Sequence, residues 1–339
     1  MRINANSHKK GRNSVQCKFK FEFSRRLSVR EEENMASIVE AKYIWKNGEL
    51  IAWADATTHV LSHALHYGTA VFEGIRCYGN EKGSAVFRLR DHMKRLVRSA
   101  NMILMPMAYT ADELTDATLE TIRINGFSTC YIRPLAYRGY GAVGVNPRSA
   151  PVDVIIAVWP WDAYLGATAL EQGVAVGISS WRQRSVNSIP GAVKSSASYL
   201  NSGLANMEAQ DHGYSEAILL NEAGLVVEGS GENIFSIRDS IIYTPPVSDG
   251  CLEGLTRNSV IQIARDLGYT VHERSLVRTD LYCADEVFFT GTAAELTPIN
   301  AVDNRAIGKP GPITLQLQKR FFEAASGTLP EYDHWLSWV

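Results

Sequence analysis

Short runs of apolar and aromatic residues predict the β-strands of this chain. Tyr43–Lys46 and Glu49–Ala52 flank Asn47-Gly48, and this dipeptide favours a type I′ hairpin turn because both of its positions adopt positive φ at low cost. A longer run, Val152–Trp159, is apolar enough for a strand buried on both faces. The other predicted strands are 131–137, 174–181, 216–220, 233–237 and 286–290.

Apolar residues that recur at the helical period predict the helices. Over 91–105 they follow this period, and Asp91 is placed to cap the free N–H groups of the first turn. A second helix is predicted to begin at the capping box formed by Thr110 and Glu113 and to end at Gly126. Two further helices are predicted at 200–211 and 256–267, and Thr256 is expected to cap the latter.

The order of these elements predicts an α/β fold, α+β-like in part, with two domains. A chain of 339 residues is long enough for both. We expect a smaller N-terminal domain over 35–159, an interdomain loop over 160–172 and a larger C-terminal domain over 173–339. Residues 1–34 contain nine Lys or Arg in the first thirty against one acid, Glu22. We interpret them as a disordered or non-native extension, with an organelle-targeting segment as the alternative.

Composition and charge favour a small-molecule substrate. The net charge is −2, from 34 basic and 36 acidic residues. The chain therefore has no strong long-range electrostatic field that would attract nucleic acid or an anionic membrane. No run approaches the ~20 apolar residues that cross a bilayer. The five cysteines are scattered and include no Cys-x-x-Cys pair, which fits a reducing compartment rather than a disulfide framework. We therefore expect a soluble, cytoplasmic protein.

Two patterns suggest sites that the surrounding sequence does not support. Gly139 to Gly144 spell G-x-G-x-x-G, but another strand rather than a helix follows, so we interpret them as a flexible loop. His59, His63 and His66 are closely spaced, yet no carboxylate stands between them as in His-Glu-x-x-His. We expect no metal.

Three features of the second half together suit an aromatic cofactor that carries a phosphate. Gly254-Leu255-Thr256 allows close backbone approach at a helix N-terminus, where free N–H groups bind phosphate. Glu228 lies on a glycine-rich turn, where a carboxylate could keep a pyridine nitrogen protonated. Small residues surround Lys194 and leave room beside its amine. Taken singly, each has a plainer explanation: a helix cap, a solvated acid and a surface lysine.

The order and spacing of these features resemble those of the fold type IV pyridoxal-phosphate enzymes and, among them, the branched-chain amino acid aminotransferases. The resemblance covers nearly everything from Tyr43 to the C-terminal region. The segments that carry it are His66-Tyr67-Gly68, Phe72-Glu73-Gly74-Ile75-Arg76, Tyr131-Ile132-Arg133-Pro134, Gly144-Val145-Asn146-Pro147, Lys194 with Tyr199-Leu200-Asn201, Glu228 to Asn233, and Gly291-Thr292-Ala293-Ala294-Glu295. It implies a two-domain fold with a β-barrel-like sheet in the larger domain.

The resemblance also implies a role for each cofactor-binding residue. Lys194 forms the Schiff base with pyridoxal 5′-phosphate, and the freed amine later moves a proton as the catalytic base. Glu228 faces the pyridine nitrogen, and Tyr199 hydrogen-bonds the ring hydroxyl. Arg95 binds the phosphate, because a guanidinium fork matches phosphate geometry. The remaining cofactor contacts are Leu252, Gly254, Leu255, Thr256 and Thr292.

The substrates that the resemblance implies are L-leucine, L-isoleucine and L-valine, which exchange their amino group with 2-oxoglutarate in a reversible ping-pong reaction. An apolar pocket is implied for Phe72 and Tyr164, together with Tyr67 and Val145 from a partner subunit, while Gly74 leaves room for the side chain. The groups implied for the carboxylates are Tyr131, Arg133 and the amides of Thr292 and Ala293. A homodimer is then the minimal unit, and a higher homo-oligomer such as a hexamer fits the same symmetry.

Two alternatives stay open at this stage. One keeps the cofactor and changes the substrate, as in a D-amino acid aminotransferase, an R-selective amine transaminase or an aminodeoxychorismate lyase. Those relatives replace the segments around Phe72 and Tyr131 with other patterns. The other alternative is a binding protein that has lost the chemistry, which Lys194, Tyr199 and Glu228 argue against.

Overall fold

The hairpin predicted near the start of the chain is present in the computed structural model, which describes residues 38–161 and 167–339. Strand β1 (Tyr43–Lys46) pairs antiparallel with β2 (Glu49–Ala52). Asn47 and Gly48 between them have φ of 49° and 97°, the pair of positive values that a type I′ turn requires. The prediction is therefore confirmed.

Two long helices of the first half share one apolar core with its strands. The strands and helices after the hairpin are α1 (His63–Tyr67), β3 (Ala70–Phe72), β4 (Ile75–Asn80), β5 (Gly83–Phe87), α2 (Leu89–Met102), α3 (Ala111–Asn125), β6 (Cys130–Arg138), β7 (Val152–Trp159) and α4 (Ala167–Gln172). Of these, β6 extends one residue beyond its predicted bounds at each end, and β7 matches its prediction. The loop of Gly139 to Gly144 leads into β7 without a helix, as expected.

The two long helices begin differently from each other. At α3, Thr110 accepts a hydrogen bond from the Glu113 N–H and Glu113 accepts one from the Thr110 N–H, so the predicted capping box is confirmed. At α2 the predicted cap is wrong. The helix begins two residues before Asp91, with Arg88 at the N-cap in the left-handed region (φ 55°), and Asp91 forms an ion pair with the Arg88 side chain instead.

The second half alternates strands with three longer helices. Its elements are β8 (Val174–Arg182), α5 (Tyr199–Asp211), β9 (Glu216–Leu220), β10 (Leu225–Gly229), β11 (Asn233–Arg238), β12 (Ile241–Thr244), α6 (Leu255–Asp266), β13 (Val271–Glu273), β14 (Leu276–Val277), α7 (Arg278–Tyr282), β15 (Glu286–Gly291), β16 (Glu295–Val302), β17 (Arg305–Ala306), α8 (Pro312–Ala325) and β18 (Leu336–Trp338). The predicted strands and helices of this half are confirmed to within one residue at each end.

These strands form two mixed or antiparallel sheets. The first has eight strands in the order β18-β5-β4-β6-β7-β1-β2, with β3 paired to β6. The second has ten in the order β13-β12-β11-β15-β16-β8-β9-β10-β14, with β17 paired to β16. Parallel pairs join β8 to β9, β8 to β16 and β12 to β13, and the other pairs described are antiparallel. The C-terminal strand β18 thus returns to the first sheet.

Each sheet buries a separate apolar core against helices. Met93 and Leu96 of α2 are fully buried in the core of the first sheet. In the second sheet Phe288 stacks on Phe235 with 4.9 Å between ring centroids, and Phe321 of α8 packs into the same cluster. Burial of each side chain of this size contributes about 2 kcal/mol to the stability of the folded state. These cores therefore keep the strands that carry the site in fixed positions. No helix in the described residues is long and apolar enough to cross a membrane.

Candidate active site

One cleft collects fourteen of the seventeen residues that the sequence singled out. They come from strands of both sheets and from loops, from α2, from the N-termini of α5 and α6, and from the turn between β15 and β16. The fourteen are Phe72, Gly74, Arg95, Tyr131, Arg133, Lys194, Tyr199, Glu228, Leu252, Gly254, Leu255, Thr256, Thr292 and Ala293. Residues that are distant in sequence therefore line a single site.

The three other residues lie elsewhere. Tyr67 at the end of α1 is 40% exposed, and Val145 in the loop after β6 is 88% exposed. Neither lines the cleft within this chain, which is compatible with the expectation that a partner subunit supplies them. Tyr164 lies outside the described residues.

Lys194 and Tyr199 form the centre of the cleft. The Lys194 ammonium donates a hydrogen bond to the Tyr199 hydroxyl at 2.5 Å. A short 3-10 turn over Ser196–Ser198 leads into α5, so the chain folds back and places Tyr199, the first residue of that helix, beside Lys194. Phe72 packs against the Tyr199 ring with 4.8 Å between centroids, and its backbone N–H donates to the Lys194 carbonyl at 3.1 Å.

Glu228 faces the same cleft from β10, where a bulge interrupts the pairing with β9. One carboxylate oxygen accepts a hydrogen bond from the Leu252 N–H at 2.9 Å, and the other accepts one from the Gln183 side chain. Burial raises the pKa of Glu228 to about 7, although the Leu252 N–H and the nearby cations Arg184 and Lys194 act in the opposite direction. A cationic ring nitrogen opposite this carboxylate would therefore stabilise its ionised form.

Arg95 is held by a buried carboxylate that sequence reasoning assigned no role. Its Nε and Nη2 donate to the two oxygens of Glu73, both at 2.7 Å, and its Nη1 donates to the Glu253 carbonyl at 2.8 Å. Burial alone would raise the pKa of Glu73, but Arg95 and His92 hold it well below its usual range. A guanidinium has five N–H donors, so two remain to meet an anion in the cleft.

The start of α6 faces Arg95 and differs from the prediction in its cap. The N-cap is Gly254, with no side-chain cap, and Thr256 is the second residue of the helix rather than its cap. A Cβ on Gly254 would lie 2.0 Å from the Asn233 side-chain oxygen, so this close approach needs glycine. Since no side chain occupies the first N–H groups of α6, they are available to an anion beside Leu255 and Thr256.

The wall opposite the helix N-terminus combines aromatic rings with one arginine. The Arg133 guanidinium lies 4.8 Å from the Phe72 ring centroid, and its Nη2 is 3.4 Å from the Tyr131 hydroxyl. Within the described residues, the buried Nε of Arg133 has no hydrogen-bond partner. A Cβ on Gly74 would lie 2.0 Å from the Tyr131 hydroxyl, so Gly74 lets this ring enter the cleft.

The turn that carries Thr292 and Ala293 is held in place by the contacts of Glu295, at the start of β16. Glu295, which adopts a positive φ of 55°, forms an ion pair with Arg76 at 2.8 Å and accepts a hydrogen bond from Tyr78 at 3.1 Å. Sequence reasoning missed this bracing, as it missed Gln183. Both Arg76 and Glu295 lie within the segments that carried the family resemblance, which was the one signal that could have identified them.

The donors of the cleft fit pyridoxal phosphate. Four polar atoms in its lining are buried without a hydrogen-bond partner in the part of the chain that the structure describes: Arg133 Nε, Arg184 Nε, Ser198 Oγ and Thr290 Oγ1. Unpaired buried donors are costly unless a ligand satisfies them. Together with the anion site at α6, the phenol of Tyr199 and the acid Glu228, they match a ligand that has a phosphate, a ring oxygen and a ring nitrogen.

Comparison with known proteins agrees with this geometry. The sequence pattern of the family Amino-transferase class IV matches residues 70–302. The chain belongs to this family. The branched-chain-amino-acid aminotransferase of Escherichia coli K12 is 48% identical over 303 residues, which cover 88% of this chain and 98% of the relative. The similarity of this class IV aminotransferase to its relative therefore extends over most of both chains.

Solved structures of class IV aminotransferases confirm the expected fold. The crystal structure of the Escherichia coli branched-chain enzyme matches with a TM-score of 0.86 and 48% identity, and it covers 88% of this chain and 99% of that one. The branched-chain enzyme of Thermobaculum terrenum, solved in its PLP form, matches with a TM-score of 0.83 and 38% identity, and it covers 88% of this chain and 98% of that one. The fold is type IV, whose aminotransferases use pyridoxal phosphate.

Proposed function

We propose that this protein transfers the amino group of L-leucine, L-isoleucine or L-valine to 2-oxoglutarate, with pyridoxal 5′-phosphate as cofactor. The observation that carries the proposal is the joint placement of Lys194, Tyr199, Glu228 and Arg95 in one cleft. The full-length similarity to branched-chain aminotransferases supports the substrate class. A D-amino acid aminotransferase, the alternative left open by the residues alone, has no support from these relatives.

The residues of the cleft divide the task of holding the cofactor. Arg95 and the N-terminus of α6, with Leu255, Thr256 and the turn at Thr292, would bind the phosphate. Glu228 would pair with the ring nitrogen and Tyr199 with the ring oxygen, while Leu252 and Gly254 shape the wall between them. When bound, pyridoxal phosphate supplies an electron sink for the electron pair left as the Cα–H bond breaks.

Lys194 has two tasks in the proposed reaction. Its amine binds the cofactor covalently until a substrate amine displaces it, and the freed Nζ then carries the proton that leaves Cα. Tyr199 holds this Nζ at 2.5 Å and so limits where the amine can move. The same residues serve both halves of a ping-pong reaction, because the second half repeats the first in reverse with 2-oxoglutarate.

The aromatic wall accounts for two kinds of substrate. Phe72, Tyr131 and the space left by Gly74 would accept a branched aliphatic side chain, and Tyr164 is proposed to complete this wall. Arg133 lies over Phe72 and keeps its Nε free of described partners, so it could meet the distal carboxylate of glutamate. The amides of Thr292 and Ala293 would bind the carboxylate common to all these substrates.

The proposal extends to assembly and location. A homodimer is the minimal unit, in which Tyr67 and Val145 of one subunit contribute to the cleft of the other. A hexamer is the higher assembly that fits the same symmetry. The exposure of both side chains outside their own cleft supports this exchange. We also propose the domain division at 160–172, since β1 to β7 form one sheet and β8 to β17 the other. Free cysteines among the described residues support a cytoplasmic location.

A direct assay tests the proposed function. The purified protein is supplied with pyridoxal phosphate and 2-oxoglutarate and then with L-leucine or D-alanine, and glutamate formation is measured. We expect turnover with L-leucine and none with D-alanine. Activity with the D-isomer alone would contradict the proposed substrate class. A protein that retains no bound chromophore after incubation with pyridoxal phosphate and removal of the free cofactor would contradict the enzyme assignment itself.

A further inference from the structure

The acid Glu73 lies directly behind Arg95 and outside the lining of the cleft. Glu73 is fully buried (0% exposed), and Arg95 at 5% and His92 at 2% are buried to nearly the same degree. Its two carboxylate oxygens accept hydrogen bonds from Nε and Nη2 of Arg95, each at 2.7 Å. A bidentate contact of this kind fixes the plane of a guanidinium as well as its position.

Glu73 is itself held at two points, its backbone and its carboxylate. Its backbone N–H donates to the Pro134 carbonyl at 2.9 Å, which ties it to β6 of the first sheet. The oxygen that contacts Arg95 Nη2 also lies 2.7 Å from Nδ1 of His92. Arg95 and His92 hold the pKa of Glu73 well below its usual range, so the carboxylate can only accept and Nδ1 of His92 carries the proton. The anchor is therefore a fixed, ionised acceptor.

Arg95 in turn connects the segment between β3 and β4 to the start of α6. Its Nη1 donates at 2.8 Å to the carbonyl of Glu253, the residue before the N-cap of α6. The guanidinium and the helix N-terminus are both positive, and their mutual repulsion in a buried setting opposes this placement. Glu73 supplies the charge that offsets it before any anion binds.

We propose that Glu73 is a positioning residue for the cofactor phosphate: it aims the Arg95 guanidinium at the anion site without touching the cofactor. This inference rests on the proposed function, since it takes Arg95 to be a phosphate ligand. The negative charge of Glu73 repels a phosphate to some extent, but two short hydrogen bonds decide where the guanidinium points. The carboxylate therefore contributes both the orientation of the guanidinium and the charge that allows it to stay buried beside the helix N-terminus.

The test compares the affinities of two cofactor forms for the apoprotein. Pyridoxal lacks the phosphate of pyridoxal 5′-phosphate, and the internal hemiacetal that free pyridoxal forms is the same for every variant. The change in the ratio of the two dissociation constants between variants therefore measures what the phosphate site contributes. We expect wild-type protein to prefer the phosphorylated form strongly. In Glu73→Gln, which keeps the shape but loses the charge, and in Glu73→Asp, which keeps the charge but loses the reach, we expect that preference to fall about 10-fold or more, since each loses charge-assisted hydrogen bonds.

A matched control uses an acid that pairs with another arginine of α2. Asp112 pairs with Arg90 of α2 at 2.9 Å, but both side chains are more than half exposed, and Asp112→Asn should leave the ratio unchanged. Titrations are run below the unfolding temperature of each variant. If Glu73→Gln does not fold, Glu73→Asp provides the answer.

The outcomes separate this inference from the function on which it rests. A wild-type protein that binds both cofactor forms equally would contradict the proposed phosphate site. If wild type discriminates and both Glu73 variants keep or increase the preference for the phosphorylated form, then Glu73 does not position Arg95. An Arg95→Met background gives the final check, because Glu73→Gln should cause no further loss of preference there.

Discussion

The ammonium of Lys194 donates a hydrogen bond to the phenol oxygen of Tyr199, with 2.5 Å between Nζ and Oη. The five-residue separation is spanned by a short turn and the first residue of α5, so local chain geometry fixes the pair. Phe72 packs against the Tyr199 ring, and its own ring centroid lies 5.0 Å from Lys194 Nζ. The amine is thus held at a defined place in the cleft rather than free on a flexible side chain.

Replacing Tyr199 with Phe should slow the reaction and keep the cofactor attached. The ring contact with Phe72 remains, while the hydroxyl that holds Lys194 Nζ is lost, so we expect kcat with L-leucine to fall about 10- to 100-fold, the effect of one charge-assisted hydrogen bond. Steady-state kinetics measure this change. Tyr269→Phe is the control, because its hydroxyl contacts Gln316 on the surface. An unchanged kcat in Tyr199→Phe would refute the assigned role.

Glu228 should make the stability of the apoprotein depend on pH in a defined window. Its pKa rises from the usual 4.5 to about 7 in the folded state. Between these values the folded protein binds more protons than the unfolded chain, so the free energy of unfolding decreases as pH rises and levels off above pH 7. The 4.5-to-7 shift corresponds to about 3 kcal/mol.

Urea unfolding of wild type and Glu228→Gln at pH 5 and pH 8 isolates this contribution. Other buried acids, including Glu216 and Glu232, are also raised in pKa by burial and are present in both proteins. The Glu228 charge raises the pKa of Glu232 as well, so the difference between the two proteins reports Glu228 together with its effect on Glu232. We expect wild type to lose stability relative to Glu228→Gln between the two pH values. Exposed Glu222→Gln is the control. A difference that is constant with pH would show that Glu228 is ionised throughout.

Gly74→Ala should damage the substrate pocket and spare cofactor binding. The added Cβ would lie 2.0 Å from the Tyr131 hydroxyl, so the ring must leave its position in the cleft. We expect kcat/KM for L-leucine to fall about 10-fold or more, since a misplaced side chain in a site is costly. Gly203→Ala in α5 is the control, because nothing lies within 4 Å of its added Cβ. Equal effects in both variants would argue against a steric role for Gly74.

Mixed dimers test whether Tyr67 serves the partner's cleft. Lys194→Ala retains Tyr67, and Tyr67→Ala retains Lys194, so a hybrid would contain one cleft with both residues. We expect activity above the sum of the two variants when they are refolded together. Lys194→Ala mixed with Phe72→Ala is the control, since Phe72 belongs to the same cleft as its own Lys194. If both single variants are inactive and their mixture shows no gain, Tyr67 does not serve the partner's cleft.

The sequence predicted most of the regular structure wherever the pattern is local. The hairpin at Asn47-Gly48 and the capping box of Thr110 were read from residues that lie next to each other. The short strands β3 to β5 were missed because they are brief and depend on pairing with distant segments: β3 and β4 pair with β6, and β5 pairs with β18. Helix α8 was also missed, although Ile313, Leu317 and Phe321 recur at the helical period. The apolar pattern of a helix was therefore present in this part of the sequence.

The site was predicted only where residues carry a family pattern. Lys194 has no feature of its own that separates it from other lysines, and its role followed from its spacing to Tyr199 and Glu228. Glu73 and Gln183 could not be assigned in this way. Their function depends on contacts with Arg95 and Glu228, which lie 22 and 45 residues away, and no local periodicity encodes such pairs.

Reduction of the cofactor-loaded protein with borohydride, followed by peptide mapping, tests the central claim most directly. Borohydride fixes the cofactor to the amine that holds it, and mass spectrometry of the peptides then locates that amine. We predict a single modified site at Lys194, which is lost in Lys194→Ala. Attachment at Lys42, Lys309 or another lysine would contradict the account, because the cleft built around Lys194 would then not be the site of the reaction.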